Sequence, residues 1–259
     1  MKSKRSYKYT FISFLTILGF ILIWQFITEL GVVSPNKVPA PTDVFSAFVY
    51  KLHSVGPDGS TIQNNIFASL LVSVSGLGLA VIVGIPLGLL MGWYKLFDRF
   101  MRPVFEILRP IPPVAWIPLT ILWVGVGLGA KAVIIFFSAF VPCVINSYTG
   151  IRQTNITLIN VAKTFGAENF YIFLHVGIPS AIPMIFAGIR VALANAWGTL
   201  VAAEMVAASA GLGYMINMAR NFGRIDIVVL GMLCIGLLGY IFTWVFGKIE
   251  NKIVKGRTV

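Results

Sequence analysis

Six apolar runs, each near the length that crosses a bilayer as a helix, leave this chain little choice of architecture. They fall at residues 10–28, 66–92, 104–125, 132–150, 179–203 and 227–247. A hydrocarbon layer about 30 Å thick takes roughly 20 helical residues. Inside it each backbone N–H and C=O must be satisfied within the segment, which favours helix. What remains of the 259 residues is too short for a soluble domain of ordinary size. Only 11% of residues are charged and 58% are hydrophobic, against about 25% and 45–50% in soluble domains. The expectation is an all-α polytopic membrane protein with six transmembrane helices, a single domain over 1–259.

A net charge of +11 raises the question of a nucleic-acid partner, and the distribution answers it. If the amino terminus lies inside, the inner segments hold Lys2, Lys4, Arg5, Lys8, Lys95, Arg99, Arg102, Arg109, Arg152, Lys163, Lys248, Lys252, Lys255 and Arg257. The outer segments hold only Lys37, Lys51, Lys131, Arg220 and Arg224, and Arg190 lies within a run. An excess of Lys and Arg on cytoplasmic loops is the orientation signal of multi-pass proteins. It predicts a cell-membrane (inner-membrane) protein in contact with lipid, both termini cytoplasmic, and no nucleic acid. The first run is too long for a secretory h-region and no small-x-small cleavage site follows Glu29. It is read as a retained signal anchor.

Residues 29–65 form the longest outer segment. Pro39 and Pro41 break the chain, and Thr42 or Asp43 can cap a following helix. Val44, Phe45, Phe48, Val49 and Leu52 then recur on one face. That helix is expected along the outer membrane interface or against a docking protein. In the second run Gly76, Ala80, Gly84, Gly88 and Gly92 recur every four residues. Lipid offers helices no hydrophobic reason to associate, so such a small-residue stripe predicts a close helix–helix seam, within the chain or across a dimer. Prolines 110, 112, 113 and 118 open the third run. Pro118 removes a donor and crowds the carbonyl of Val114, which reads as a helix entry with a kink or as an interrupted helix with a role in the pathway.

Little in the chain suggests catalysis. The turn from Gly125 to Lys131 lacks the Gly-x4-Gly-Lys-[Ser/Thr] spacing of a phosphate loop, and no Walker motif occurs elsewhere. Cys143 and Cys234 sit apart in apolar runs, so neither a disulfide nor a metal site is expected. His53 and His175 fall on opposite sides of the membrane. No cofactor is implied. In the fifth run Arg190, Trp197 and Glu204 share one helical face with Ala194 and Val201. A charge at mid-span faces protein, water or a partner charge. That face is therefore a candidate translocation pathway; the alternative is that Arg190 snorkels or pairs with a neighbouring helix. Asn146 and Asn195 read as interhelical hydrogen-bond donors, the alternative being substrate ligands.

Between the fourth and fifth runs lies a polar segment, Asn160 to Pro179, NVAKTFGAENFYIFLHVGIP. It carries Ala162, then Gly166-Ala167, then nine residues after the glycine, Val176-Gly177-Ile178-Pro179. This resembles the signature loop of the permease subunits of binding-protein-dependent ABC importers, E-A-A-x3-G-x9-I-x-L-P. Asn160 and Val161 stand where the pattern has glutamate and alanine, and Val176 and Ile178 are apolar equivalents. The strings RPIPPVAWIPLTILWVGVG and GLGYMINMARNFGRIDIVVLGMLCIGLLGYI are similar to the branch that handles sulfonates, taurine, nitrate and bicarbonate, with thiamine-precursor relatives. The resemblance implies a type I importer permease fold, with a core at about 62–250 and a coupling loop at 151–178. It implies a non-catalytic conduit that works with two ATP-binding subunits, an extracytoplasmic solute-binding protein and a second permease copy. Asn160, Val161, Ala162, Gly166, Ala167, Val176, Ile178 and Pro179 would meet the ATPase. The rival class is an ATP-independent channel or secondary transporter. It predicts inverted repeats and coupling-ion sites in the spans; the sequence displays no obvious repeat and no carboxylate cluster.

Overall fold

A computed structural model describes residues 3–34, 37–207 and 209–254. Lys2, Lys255 and Arg257 of the inner basic set lie outside the described residues. In chain order the helices are α1 (Ser3–Glu29), α2 (Pro41–His53), α3 (Ile62–Trp93), α4 (Lys95–Leu108), a 3₁₀ turn (Pro113–Trp116) and α5 (Ile117–Val124). Then follow α6 (Leu128–Arg152), α7 (Ile156–Thr164), α8 (Asn169–Ile172), a π turn (Phe173–Gly177), α9 (Ile178–Ala207), α10 (Leu212–Asn221) and α11 (Ile225–Val254). No strand occurs among the described residues.

Five helices are long and apolar enough to cross a membrane, and a sixth crossing is available from a bent pair. The third run is that pair: α4 meets the 3₁₀ turn and α5 at 86°. Of the two readings of these prolines, the helix is interrupted and not merely kinked. The break falls at 109–112, where Pro110 and Pro112 deny the α-helical ladder two donors, while Pro118 sits at the start of α5, where its missing N–H costs nothing.

The centre of the molecule is a three-helix layer of α3, α6 and α9, cored by Val72, Ala80, Ile135, Ala139, Cys143, Ala192, Ala196 and Leu200. The small-residue stripe makes the α3–α6 seam inside the chain. A Cβ at Gly76 would sit 2.7 Å from the Ala132 carbonyl oxygen and from Ile135; one at Gly84 would sit 3.0 Å from Cys143 Cβ. At Gly88 it would run into the Val144 carbonyl and Ser147, and at Gly92 into Ile151 and Tyr148. Ala80 between them is fully buried. On its other side α6 meets α9 through isolated glycines, Gly150 against Ala181 and Met184 and Gly188 against Asn146.

At the end of the layer where α2 lies, α2, α10 and α11 close over a second core of Val44, Ala47, Ile62, Leu212, Met215, Ala219, Ile227 and Leu230. The buried face of α2 carries Val44, Ala47 and Lys51, whereas Phe45, Phe48 and Val49 are exposed. Neither Thr42 nor Asp43 is the N-cap. The cap is Ala40, Pro41 opens the helix, and the Asp43 carboxylate accepts from Ala40 N at 3.1 Å. The long α1 stands at the edge, tied to the start of α2 by Gln25 Nε2 donating to Thr42 Oγ1 at 3.2 Å and to the segment before it by Trp24 Nε1 donating to the Pro39 carbonyl at 3.1 Å.

Candidate functional site

The segment with the signature spacing folds as two short helices joined at a glycine. The Asn155 side chain accepts from Thr157 N at 2.8 Å and starts α7. Gly166 ends it with φ +79°, in the left-handed region that favours glycine. Ala167 N donates to the Ala162 carbonyl at 3.1 Å and Gly166 N to Lys163 at 2.9 Å. These are the two bonds of a Schellman stop. So the small residues at 162, 166 and 167 together build one tight turn.

The two halves of the segment differ in attachment. Ile172 and Phe173 are buried, Phe173 lies 5.6 Å from the ring of Trp93, and Trp93 Nε1 donates to Asn169 Oδ1 at 3.3 Å. Gly177 fits under the Trp93 ring, and Val176, Ile178 and Pro179 are half-buried around it. The π turn ends where Pro179 cannot extend the ladder; Ile178 N instead reaches back to the Phe173 carbonyl. By contrast α7 buries nothing. Asn160 and Val161 are exposed, as are Leu158, Phe165 and Phe170. A helix anchored at one end thus presents an uncovered apolar face.

The α9 charges do not share an open surface. Arg190 pairs with Glu250 of α11, Trp197 Nε1 donates to the Ile235 carbonyl at 3.0 Å, and Glu204 is fully buried. Glu204 accepts from Ser69 Oγ at 2.8 and 2.9 Å and from Gly213 N at 2.9 Å. A charge or indole N–H in a span is satisfied at least cost by the neighbouring helix, and here all three are. Asn195 lies about 180° around α9 from Glu204 and is exposed. It makes no hydrogen bond among the described residues, while Asn146 bonds its own helix at the Pro142 carbonyl, 2.9 Å. Among the described residues neither acts as the interhelical donor expected of it.

Residues 84–255 match the family described as binding-protein-dependent transport system inner membrane component. The chain belongs to that family. An ABC transporter permease protein of Methanocaldococcus jannaschii is 38% identical over 233 residues, 90% of this chain and 86% of the relative. The taurine transport system permease protein TauC of Escherichia coli is 32% identical, covering 92% of this chain and 86% of its own length. The bicarbonate transport system permease protein CmpB of Synechocystis is 31% identical, with 93% and 88% covered. In fold the chain is similar to the MetNI methionine ABC transporter in an inward-facing conformation: TM-score 0.63, 22% identity, 76% of this chain and 96% of that one. This chain is therefore a multi-pass membrane permease subunit of an ABC importer. It is not itself catalytic, and the family pairs it with an ATP-binding subunit and a solute-binding protein.

Two features of the permease escaped the sequence. One is a buried polar clasp at the end of the molecule away from the signature segment. Lys51 Nζ and Asp58 Oδ1 pair at 2.5 Å, both fully enclosed, and Asn65 Nδ2 donates to Asp58 Oδ2 at 2.7 Å. Asn65 Oδ1 accepts from Gly211 N at 3.0 Å and Ser69 Oγ from Leu212 N at 2.9 Å. With Glu204 on Gly213, three side chains satisfy the first amides of α10. The other is a cleft of about 440 Å³ between the broken third run, α6 and α9. The partners in both are distant in sequence; Glu204 hinted at the clasp, and Asn195 and the proline cluster at the cleft, without showing what each would meet.

Proposed function

We propose that this permease conducts a small oxyanion inward, an aliphatic sulfonate such as taurine, or bicarbonate or nitrate, as one half of a homodimer carrying two ATP-binding subunits. Both termini face the cytoplasm. The segment 151–178 and the start of α9 form the coupling elbow. The observation that carries this reading is α7, a surface helix with Leu158, Val161 and Phe165 exposed and apolar on its outward side. An apolar face left uncovered next to a rigid turn is a docking surface, and Asn160, Ala162, Gly166 and Ala167 shape it. Val176, Ile178 and Pro179 join it to α9, so a push on α7 reaches the span that lines the central layer. ATP binding shifts the inward–outward equilibrium only by its differential affinity for the two states. The elbow is where that difference enters the membrane.

The test is to express the permease with its ATP-binding subunit and binding protein and to measure uptake of labelled taurine and bicarbonate. Leu158→Asp with Phe165→Asp is expected to abolish co-purification of the ATPase and to cut uptake at least tenfold, with membrane levels unchanged. Equal uptake by cells lacking the ATP-binding subunit would overturn the coupling, and no uptake of any oxyanion would overturn the substrate class.

A further inference from the structure

We infer that the cleft between the broken third run, α6 and α9 is a solute site of the permease itself, built to hold an oxyanion head by Arg109, Ser138, Asn195 and Thr199. The inference rests on the oxyanion reading above and adds a place and a set of contacts to it.

The cleft lies at mid-depth. At 1.5 Å per residue Ser138 is about 15 Å from the start of α6, and Asn195 about 18 Å from the end of α9. Those ends are neighbours, so both residues fall near the middle of a layer about 30 Å thick. Here polar groups without partners are expensive unless water or a ligand meets them. Arg109, Ser138, Asn195 and Thr199 all line this one opening, and of them Asn195 has no hydrogen-bond partner among the described residues.

Ser138 Oγ and Thr199 Oγ1 lie 2.8 Å apart, with Ser138 only 5% exposed. Two hydroxyls have two hydrogens, and their mutual bond uses one, so one remains for a guest. The Asn195 amide adds two donors that nothing among the described residues accepts. Arg109 stands at the rim, at the 86° break, held only loosely by Glu106 at 3.7 Å across an exposed surface. A guanidinium at such a distance keeps its planar fork free for a carboxylate or sulfonate. Ala194 and Gly198 line the cleft beside the α9 donors, and their small size leaves the volume open. About 440 Å³ falls in the range of small-molecule sites. The donors outnumber acceptors and one carries positive charge, which selects anions. The break that turns α4 away from α5 is what uncovers α6 and α9 here, so the prolines act as pathway makers.

The experiment places single cysteines at Asn195 and Thr199 in the assembled importer, with Cys143 and Cys234 replaced by alanine. Rates of modification by anionic sulfonatoethyl and cationic trimethylammonioethyl methanethiosulfonate are measured, each normalised to a free thiol. The anionic reagent is expected to be favoured at least tenfold at both sites. Arg109→Gln should remove most of that preference. Taurine and bicarbonate, tried separately at millimolar concentration, should slow modification for whichever the site accepts. No charge preference would overturn the inference, as would spontaneous disulfide formation between two copies through these cysteines, which would make this face a permease–permease contact. If the preference appears while the wild-type importer moves neither solute, the site stands and the substrate assignment falls.

Discussion

At the scale of single residues, Gly166 is the position where backbone and function meet most directly. Nothing lies within 4 Å of a Cβ built there, so a side chain would not clash. The cost lies in φ +79°, which an L-residue adopts at roughly 1–2 kcal/mol and a β-branched one at more. Gly166→Val is therefore expected to open the Schellman turn and lower ATP-driven uptake at least fivefold, with the amount of protein in the membrane unchanged. Gly166→Asn, which tolerates the left-handed region, should keep more than half of the uptake. Uptake assays with quantitative membrane blots check both. Glu204 makes a second prediction. Replacing it with leucine leaves Gly213 N–H and the Ser69 hydroxyl without their acceptor, and each orphaned buried donor costs about 1–3 kcal/mol. The melting temperature in detergent should fall by at least about 5 °C, and Glu204→Gln, which keeps an acceptor oxygen, should lose less than half as much. The glycine was legible because a turn is local. That Arg190 could pair with a neighbouring helix was legible too, but the partners of Glu204 and Arg190 were not, because a span charge announces that it needs a partner without naming one, and Ser69 and Glu250 lie 135 and 60 positions away.

Among the elements, the α3–α6 seam was legible for the opposite reason from the third run. A stripe repeating every four residues puts small side chains on one face whatever the partner helix is, so Gly76 to Gly92 predicted a close approach before α6 was known to supply it. The α6–α9 seam uses Gly150 and Gly188 singly, and single glycines carry no period to read. The proline cluster at 110–113 announced a disturbance without its size, because the 86° turn depends on what α6 and α9 leave open beside it. The seam can be measured. Gly88→Ala drives a methyl into the Val144 carbonyl and within 2.9 Å of Ser147 Cβ. Backbone cannot give way as a flexible side chain can. Gly78 lies in the same helix with nothing within 4 Å of its Cβ, and alanine there gains up to about 1 kcal/mol of helix propensity. Gly88→Ala should lower the melting temperature and speed proteolysis in detergent, while Gly78→Ala should do neither. Equal behaviour of the pair would mean that α3 and α6 do not pack as closely as described.

For the whole molecule, the bent third run decides topology by parity. Five straight spans alone would put the two ends of the chain on opposite sides, and the pair α4–α5 restores six crossings only if it passes through the layer. Charge argues that it does. Lys95, Arg99, Arg102 and Arg109 precede or line the bend, Lys131 is the one basic residue between the bend and the apolar stretch of α6, and Arg152 and Lys163 follow at the other end of α6. If the pair merely dipped in and returned, 125–127 would share a side with 94–109. Helix α6 would then carry α7, with its apolar face, to the outside, away from any ATP-binding subunit. The crossing alternative puts Gly125–Gly127 outside and α7 inside, and leaves the buried clasp of Lys51, Asp58 and Glu204 at the outer end, where a binding protein arrives. Val126 is 66% exposed and Leu158 52%, so cysteines at both can report. In intact cells that express the permease without its ATP-binding subunit, an impermeant maleimide should label Val126→Cys and spare Leu158→Cys until the membrane is permeabilised. A fluorescent protein fused after residue 259 should mature and fluoresce as it does only in the cytoplasm. Labelling of Leu158→Cys from outside would reverse the topology. Because the elbow would then be out of reach of ATP, it would also remove the coupling reading.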